Sequence, residues 1–209
     1  MLREGPASFR LSPTPPYNRK ENVIELLISG LVVFFGIHLV PAAPRLRDAI
    51  VGRLGRHGWR GAMSLVSIAG FAMIVMGWQR APFVPVYSPP EWGQWLPVVL
   101  MLPALMLLAA AYIPSGVKRV TRHPMLWATV IWAISHLFAN GDFRSLLLFG
   151  SFGAWALFDM WSANRRGATL KQQPVALRNE AMVVVAGVVA WVLFARFHGS
   201  LFGVPVMGM

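Results

Sequence analysis

Few side chains in this sequence could carry chemistry, and the histidines come first among them. The 209 residues hold 5 histidines, 8 acidic residues and no cysteine. The lack of cysteine excludes disulfides, thiolate metal sites, iron–sulfur clusters, a catalytic thiol and covalent C-x-x-C-H haem attachment. Neutral imidazole is the commonest metal ligand. His38 and His136 each fall inside an apolar block, and His123 opens the block that holds His136, in Thr121-Arg122-His123-Pro124. His57 sits in an Arg-rich stretch and reads as solvated, while Arg196 and His198 fall near the end of the last block and read as interfacial. Two histidines on different helices, without clustered carboxylates, suit a six-coordinate haem b better than zinc, which takes three or four protein ligands. Each ring could equally hydrogen-bond a neighbouring helix. Spacing alone leaves both readings open.

The elements that must position these rings follow from composition. Hydrophobic residues make up 56 % of the chain and charged residues 13 %, against roughly 25 % charged in soluble domains. The shortfall is concentrated in blocks of about the 17–25 residues that span a bilayer, at 22–43, 62–79, 95–116, 124–140, 144–161 and 181–199. An all-α, six-helix transmembrane bundle is the expected fold, which excludes soluble-enzyme, DNA-binding and disordered classes. Asn140-Gly141-Asp142-Phe143 should close the fourth and fifth spans into a tight hairpin. Residues 1–21 are Pro-rich, lack the apolar core of a signal peptide, and read as a disordered tail before a transmembrane domain over 22–209.

The net charge of +11 is then a topology signal. Arg45, Arg47, Arg53, Arg56 and Arg60 follow the first span, Lys118, Arg119 and Arg122 the third, and Arg165, Arg166, Lys171 and Arg178 the fifth. The positive-inside rule puts these loops in the cytoplasm and both termini on the opposite side of the membrane. Anionic lipid headgroups are the natural partners of that face, and nucleic acid is not. Trp78, Trp92, Trp95, Trp127 and Trp161 fall near predicted span ends, as an interfacial belt requires. Glu25 and Asp159 lie close enough to helix ends to reach water or, for Asp159, Arg165. His38 shares a helical face with Leu31, Phe34 and Phe35, with Gly30 and Gly36 allowing close approach, and His136 shares one with Thr129, Trp132 and Asn140.

The string from Arg119 to Asp142, RVTRHPMLWATVIWAISHLFANGD, resembles the NnrU family of bacterial membrane proteins. Phe35-Gly36-Ile37-His38 with Arg45-Leu46-Arg47, and the run from Trp59 to Ser67, are similar to it as well, so the likeness covers about residues 24–165. Arg-His-Pro alone is weak, because several membrane methyltransferases carry it with a following Tyr, where this chain has Leu126 and Trp127 after Met125. The resemblance implies a link to denitrification and nitric oxide metabolism, and homology to the 15-cis-zeta-carotene isomerase, a membrane haem b enzyme. It implies His38 and His136 as the axial ligands, since they occupy the positions of that enzyme's ligating histidines. His123 matches a histidine that is not an axial ligand there. Leu39-Val40-Pro41-Ala42-Ala43 stands where the isomerase has Gly-Gly-Ala-Ser, which favours retention of haem over retention of carotenoid chemistry.

Depth constrains that pair. At 1.5 Å per residue His136 lies roughly 20 Å from His123 along its helix, while His38 lies some 10 Å from the cytoplasmic end of its own. One haem on His38 and His136 needs Pro41 and Pro44 to end the first helix early or the fourth to start in the cytoplasm; His123 is the alternative partner of His38. The expected function is a haem b protein, with a haem-dependent isomerase-like activity as one form of it and a small molecule or nitric oxide as ligand. Phe34, Phe35 and Trp132 are the porphyrin-packing candidates, and Arg119 or Arg122 the propionate partner. The alternatives are an S-adenosylmethionine-dependent methyltransferase, with Arg122 and His123 at the donor and a catalytic Glu-Arg-type element near the C-terminus, and a haem carrier or assembly factor.

Overall fold

Prolines punctuate the first half of the chain. In the computed structural model, which describes residues 21–172 and 174–206, helix α1 (Glu21–Leu39) stops where Pro41 can supply no backbone N–H. A short 3-10 turn, Val40–Ala42, leads to Pro44, the first residue of α2 (Pro44–Arg80). The expected tail lies, apart from Glu21, outside the described residues. Helix α2 begins far upstream of the expected 62–79: the arginines read as a loop lie on it, and Gly55, at φ 70° and ψ 169°, kinks it into segments 44–54 and 56–80. Only glycine enters that backbone region without strain. The rest is α3 (Trp95–Tyr112), the single turn α4 (Val117–Val120), α5 (Pro124–Ala139), α6 (Phe143–Arg165) and α7 (Leu177–Phe202).

Among the described residues no strand forms; Pro85 and Asp142 share an isolated bridge. Helix α1 packs along α2 and touches α6, α6 packs on α5, α5 on α3 and α3 on α7. The helices therefore form a curved row in the order α2, α1, α6, α5, α3, α7. Gln79 Nε2 donates to the Leu201 carbonyl at 3.0 Å and joins the two ends of the row. Leu27, Leu31, Ile74, Trp78, Ala133 and Phe149 are the main buried cluster, and Leu126, Val130, Ala156 and Met160 a second one between α5 and α6.

Five stretches are long and apolar enough to cross a membrane: Ile24–Ala42, Pro44–Arg80, Glu91–Tyr112, Phe143–Arg165 and Leu177–Phe202. Their outward faces carry large apolar side chains such as Leu65 and Ile68. The expected span at 124–140 is α5, whose 16 residues reach about 24 Å against a hydrocarbon core of ~30 Å. Trp92, Trp95, Trp127 and Trp161 are exposed. Trp78 departs from the expected belt: it is buried, edge-on to Phe149 at 5.8 Å, with the Arg144 guanidinium over its ring at 4.8 Å.

Candidate functional site

The hairpin turn between α5 and α6 is built from charge and backbone together. Asp142, 2 % exposed, caps α6 by accepting from Ser145 N at 3.2 Å and from the Ser145 hydroxyl, and it faces Arg144 Nε at 3.3 Å. Arg144 also donates to the carbonyls of Trp78 and Ala81, so the turn is bolted to the end of α2. The 81–94 connection closes over it: Val86 N and Tyr87 N donate to the Gly141 carbonyl, and the Tyr87 hydroxyl to the carbonyls of Leu137 and Asn140. Burial, and then the negative charge of Asp142, raise the Tyr87 phenol above its ordinary pKa. It stays a donor.

Beneath this turn lies the main cleft, as two adjoining cavities of about 310 and 450 Å³, within the usual range for small-molecule sites. Both are lined by Trp132 and His136 of α5, Phe152 of α6, and His198 and Phe202 of α7, over a largely apolar wall. His136 Nδ1 donates to the Trp132 carbonyl at 2.8 Å. A carbonyl can only accept, so the proton sits on Nδ1 and the lone pair on Nε2. The ring is tilted against Trp132 and stacked on Phe149 at 4.7 Å. His198, about one turn from the end of α7, has its ring centre 6.5 Å from that of His136.

His38 is not brought to this cleft. It sits in the last turn of α1, its Nδ1 donating to the Phe34 carbonyl at 2.7 Å, with its ring stacked on Phe34 and edge-on to Trp155. On α6, Trp155 marks the level of His38 and Phe149 that of His136, a separation of about 9 Å along the helix. Phe34, Phe152 and Trp132 lie in sequence between the two histidines, with ring centres 5.3 and 5.4 Å apart. Trp132 lines the cleft, whereas Phe34 and Phe35 pack on Phe152 away from it. Gly30 lies against Ile74 as expected, while Gly36 faces open space.

His123 and Arg122 lie at the other end of α5, some 20 Å from His136 along the helix. His123 Nε2 is 3.0 Å from Asn164 Oδ1, and Arg122 donates to the same oxygen at 3.3 Å. They border a separate polar cavity of about 280 Å³ with Lys118, Lys171 and Asp159. Burial and the neighbouring Lys171 lower the Lys118 pKa. Asp159 pairs with Arg166 at 3.7 Å, and Arg165, its expected partner, lies over the Trp161 ring. Arg119 is on α4, also remote in sequence from the His136 end. Glu25 and His57 are exposed. No group of three or more His, Asp or Glu able to hold a bare metal ion occurs among the described residues.

Apolar helices of membrane-spanning length, gathered around an apolar cleft lined by imidazoles, define a multi-pass helical membrane protein. Within that class the assignment is specific. The chain belongs to the NnrU family, whose protein model matches it over residues 26–206. The match thus extends through α7, beyond the 24–165 over which the resemblance was read. No curated protein and no solved structure matches it.

Proposed function

We propose that this NnrU-family chain is a haem b-binding protein of the bacterial inner membrane, linked to nitric oxide metabolism, that holds its haem in the His136 cleft. One observation carries the reading: His136 presents an Nε2 lone pair, fixed by its Nδ1 bond to Trp132, to an apolar cavity walled by aromatic rings. The donor set fits the group. A porphyrin supplies four in-plane nitrogens of its own, so the protein needs to offer axial imidazoles alone, and a cluster of three ligands is unnecessary. Second-shell bonds of the Nδ1–H to carbonyl kind hold a ligating imidazole in orientation. Bound there, haem would supply an iron able to take a diatomic such as nitric oxide or to act as a Lewis acid on a polyene. The chain's own residues make that space apolar: Trp132, Phe149, Phe152 and Phe202 form its walls. Arg119 and Arg122 lie at the far end of α5 and do not serve propionates at this site.

The same reading makes α5 a sixth, short span, with the Asn140-to-Asp142 turn and both termini periplasmic. Alternation of the basic segments supports it, and Arg45, Arg47 and Arg53 on residues 44–54 then meet anionic lipid. A periplasm-active reporter fused after Met209 gives signal and one fused after Arg166 does not; the reverse inverts the topology. The methyltransferase reading draws on the Lys118–His123 cavity. Against it, the Glu180 carboxylate is committed to Gly116 N at 2.6 Å and Asn179 to the Pro114 carbonyl at 2.9 Å, which are structural ties. The deciding experiment is an absorbance spectrum of detergent-purified protein, oxidised and reduced, after growth with haem precursor. A Soret band that His136→Ala abolishes or shifts is expected. Absence of any Soret band from the intact protein overturns the proposal.

A further inference from the structure

We infer that the polar cavity at the start of α5 is a phosphate site, in which Lys118 and Lys171 together hold the anion. The inference does not depend on the haem reading. This cavity shares no lining residue with the His136 cleft and lies at the opposite end of α5.

Three segments build it. The single turn α4 carries Lys118, the stretch Thr121-Arg122-His123 leads into α5, and the connection after α6 returns along α4. There Lys171 N donates to the Lys118 carbonyl at 3.0 Å, which sets two ammonium-bearing residues side by side. Both line the cavity, together with Arg122, Thr121 and Thr169. Pro124 opens α5 with no side-chain cap, so the positive end of that helix adds to the field.

Charge is the second strand. Like charges held together repel, and among the described residues neither lysine has an ion pair. The cost shows in Lys118, whose pKa is lowered by burial and then by Lys171. Asp159, the carboxylate of the lining, is taken by Arg166 at 3.7 Å. On the facing side Asn164 Oδ1 accepts from Arg122 at 3.3 Å; a guanidinium only donates, so His123 Nε2, 3.0 Å from the same oxygen, is a donor as well. The cavity is therefore ringed by donors and by cations that lack a counter-charge.

Chemistry and depth then select the ligand. A phosphate offers several oxygens at once to two ammoniums, a guanidinium and two hydroxyls, in charge-assisted bonds. About 280 Å³ admits it with the group it is attached to. The sulfonium of a methyl donor would meet like charge in the same place. Tyr112 and Trp127, near this end of the bundle, are exposed, as rings at headgroup depth are. The phosphate can thus arrive on a lipid or free in solution, and both present the same group.

The test is lysine footprinting of the full-length protein in a maltoside detergent, which carries no phosphate. The chain has three lysines, Lys20, Lys118 and Lys171, and Lys20, outside the described residues, is the reference. Acylation of each is followed by mass spectrometry. One arm adds inorganic phosphate against chloride at equal ionic strength; the other adds phosphatidic acid against diacylglycerol, which differ by the phosphate alone. At about ten times the dissociation constant, labelling of Lys118 and Lys171 should slow about tenfold with Lys20 unchanged. Protection by inorganic phosphate identifies a free ligand, and protection by phosphatidic acid alone identifies a lipid. Lys171→Gln should raise the concentration that protects Lys118 by about tenfold, whereas Arg56→Gln, which removes an exposed charge outside the cavity, should not. Protection by neither probe, equal slowing of Lys20, or an equal effect of Arg56→Gln overturns the site. None of these results bears on the Soret band of the His136 cleft.

Discussion

The contact between α1 and α2 is close enough for one methyl group to test it. A Cβ added at Gly77 would lie 2.5 Å from Leu27 N, 2.7 Å from Leu27 Cα and 2.9 Å from Leu27 Cβ. One added at Gly70, two turns earlier, would lie 2.8 Å from Phe34 N. Ordinary contact begins near 3.4 Å, so Gly77→Ala must push the helices apart by about 0.5–0.9 Å, and the opposing atoms are backbone that no rotamer change can clear. Overpacking of this kind costs about 1–3 kcal/mol, which for a chain of this size lowers the melting temperature by roughly 4–8 °C at the middle of that range. Gly61 is the internal control. It lies on the same helix, is exposed, and its added Cβ meets nothing within 4 Å; Gly61→Ala should be neutral, or stabilising by up to about 1 kcal/mol through helix propensity. Thermal unfolding in one detergent, followed by circular dichroism, reads both. Because one displacement relieves both clashes, Gly70→Ala with Gly77→Ala should cost less than the separate losses added. If Gly77→Ala melts with the parent protein and Gly61→Ala does too, the backbone seam is not the basis of the α1–α2 contact. The seam also matters to the site, because Ile74 and Trp78 on this face of α2 line the cleft.

Three further outcomes are expected. Asp142→Ala removes the α6 cap and leaves Arg144 without its carboxylate, and should cost about 2–4 kcal/mol in thermal or denaturant unfolding. Tyr87 should ionise above the ordinary phenol range in an ultraviolet phenolate titration, since its pKa is raised. The folded state then holds the phenol proton longer than the unfolded chain, so this contribution is intact below pH ~10 and falls as pH rises through the raised value; Tyr87→Phe should remove the late transition. Lys118, with its lowered pKa, should react with an acylating reagent at mildly alkaline pH faster than an exposed lysine, by mass spectrometry. Lys171→Gln should slow that reaction by removing the neighbouring positive charge.

Local pattern was sufficient for much of this molecule. Apolar block length sets where a helix can cross lipid, because in hydrocarbon every backbone N–H and C=O must be satisfied within the segment. The positions of α1, α3, α5, α6 and α7 were therefore legible. Pro41 and Pro44 mark the break after α1 by the same backbone arithmetic, as does the Asn140-to-Asp142 turn with its capping carboxylate. The helical character of residues 44–61 is not, since their charge density reads as loop, whereas Arg and Leu are good helix formers and only Gly55 interrupts them. His136 as a candidate is legible from its place in an apolar helix with Trp132 and Asn140 on its face, and it lines the cleft.

What the order of residues could not supply was which helix lies beside which. His38 and His136 belong to helices whose contacts with α6 fall at different levels, with Phe34, Phe152 and Trp132 between them. His198 comes from a helix sixty residues further on, and it meets His136 only because the row of helices curves until α7 returns to α2 at Gln79 and Leu201. Periodicity assigns a side chain to a face of its own helix, and spacing gives its depth. Which partner that face meets depends on the packing of close-approach surfaces such as Gly70 and Gly77 against α1, and such nonlocal contacts leave no period in the sequence.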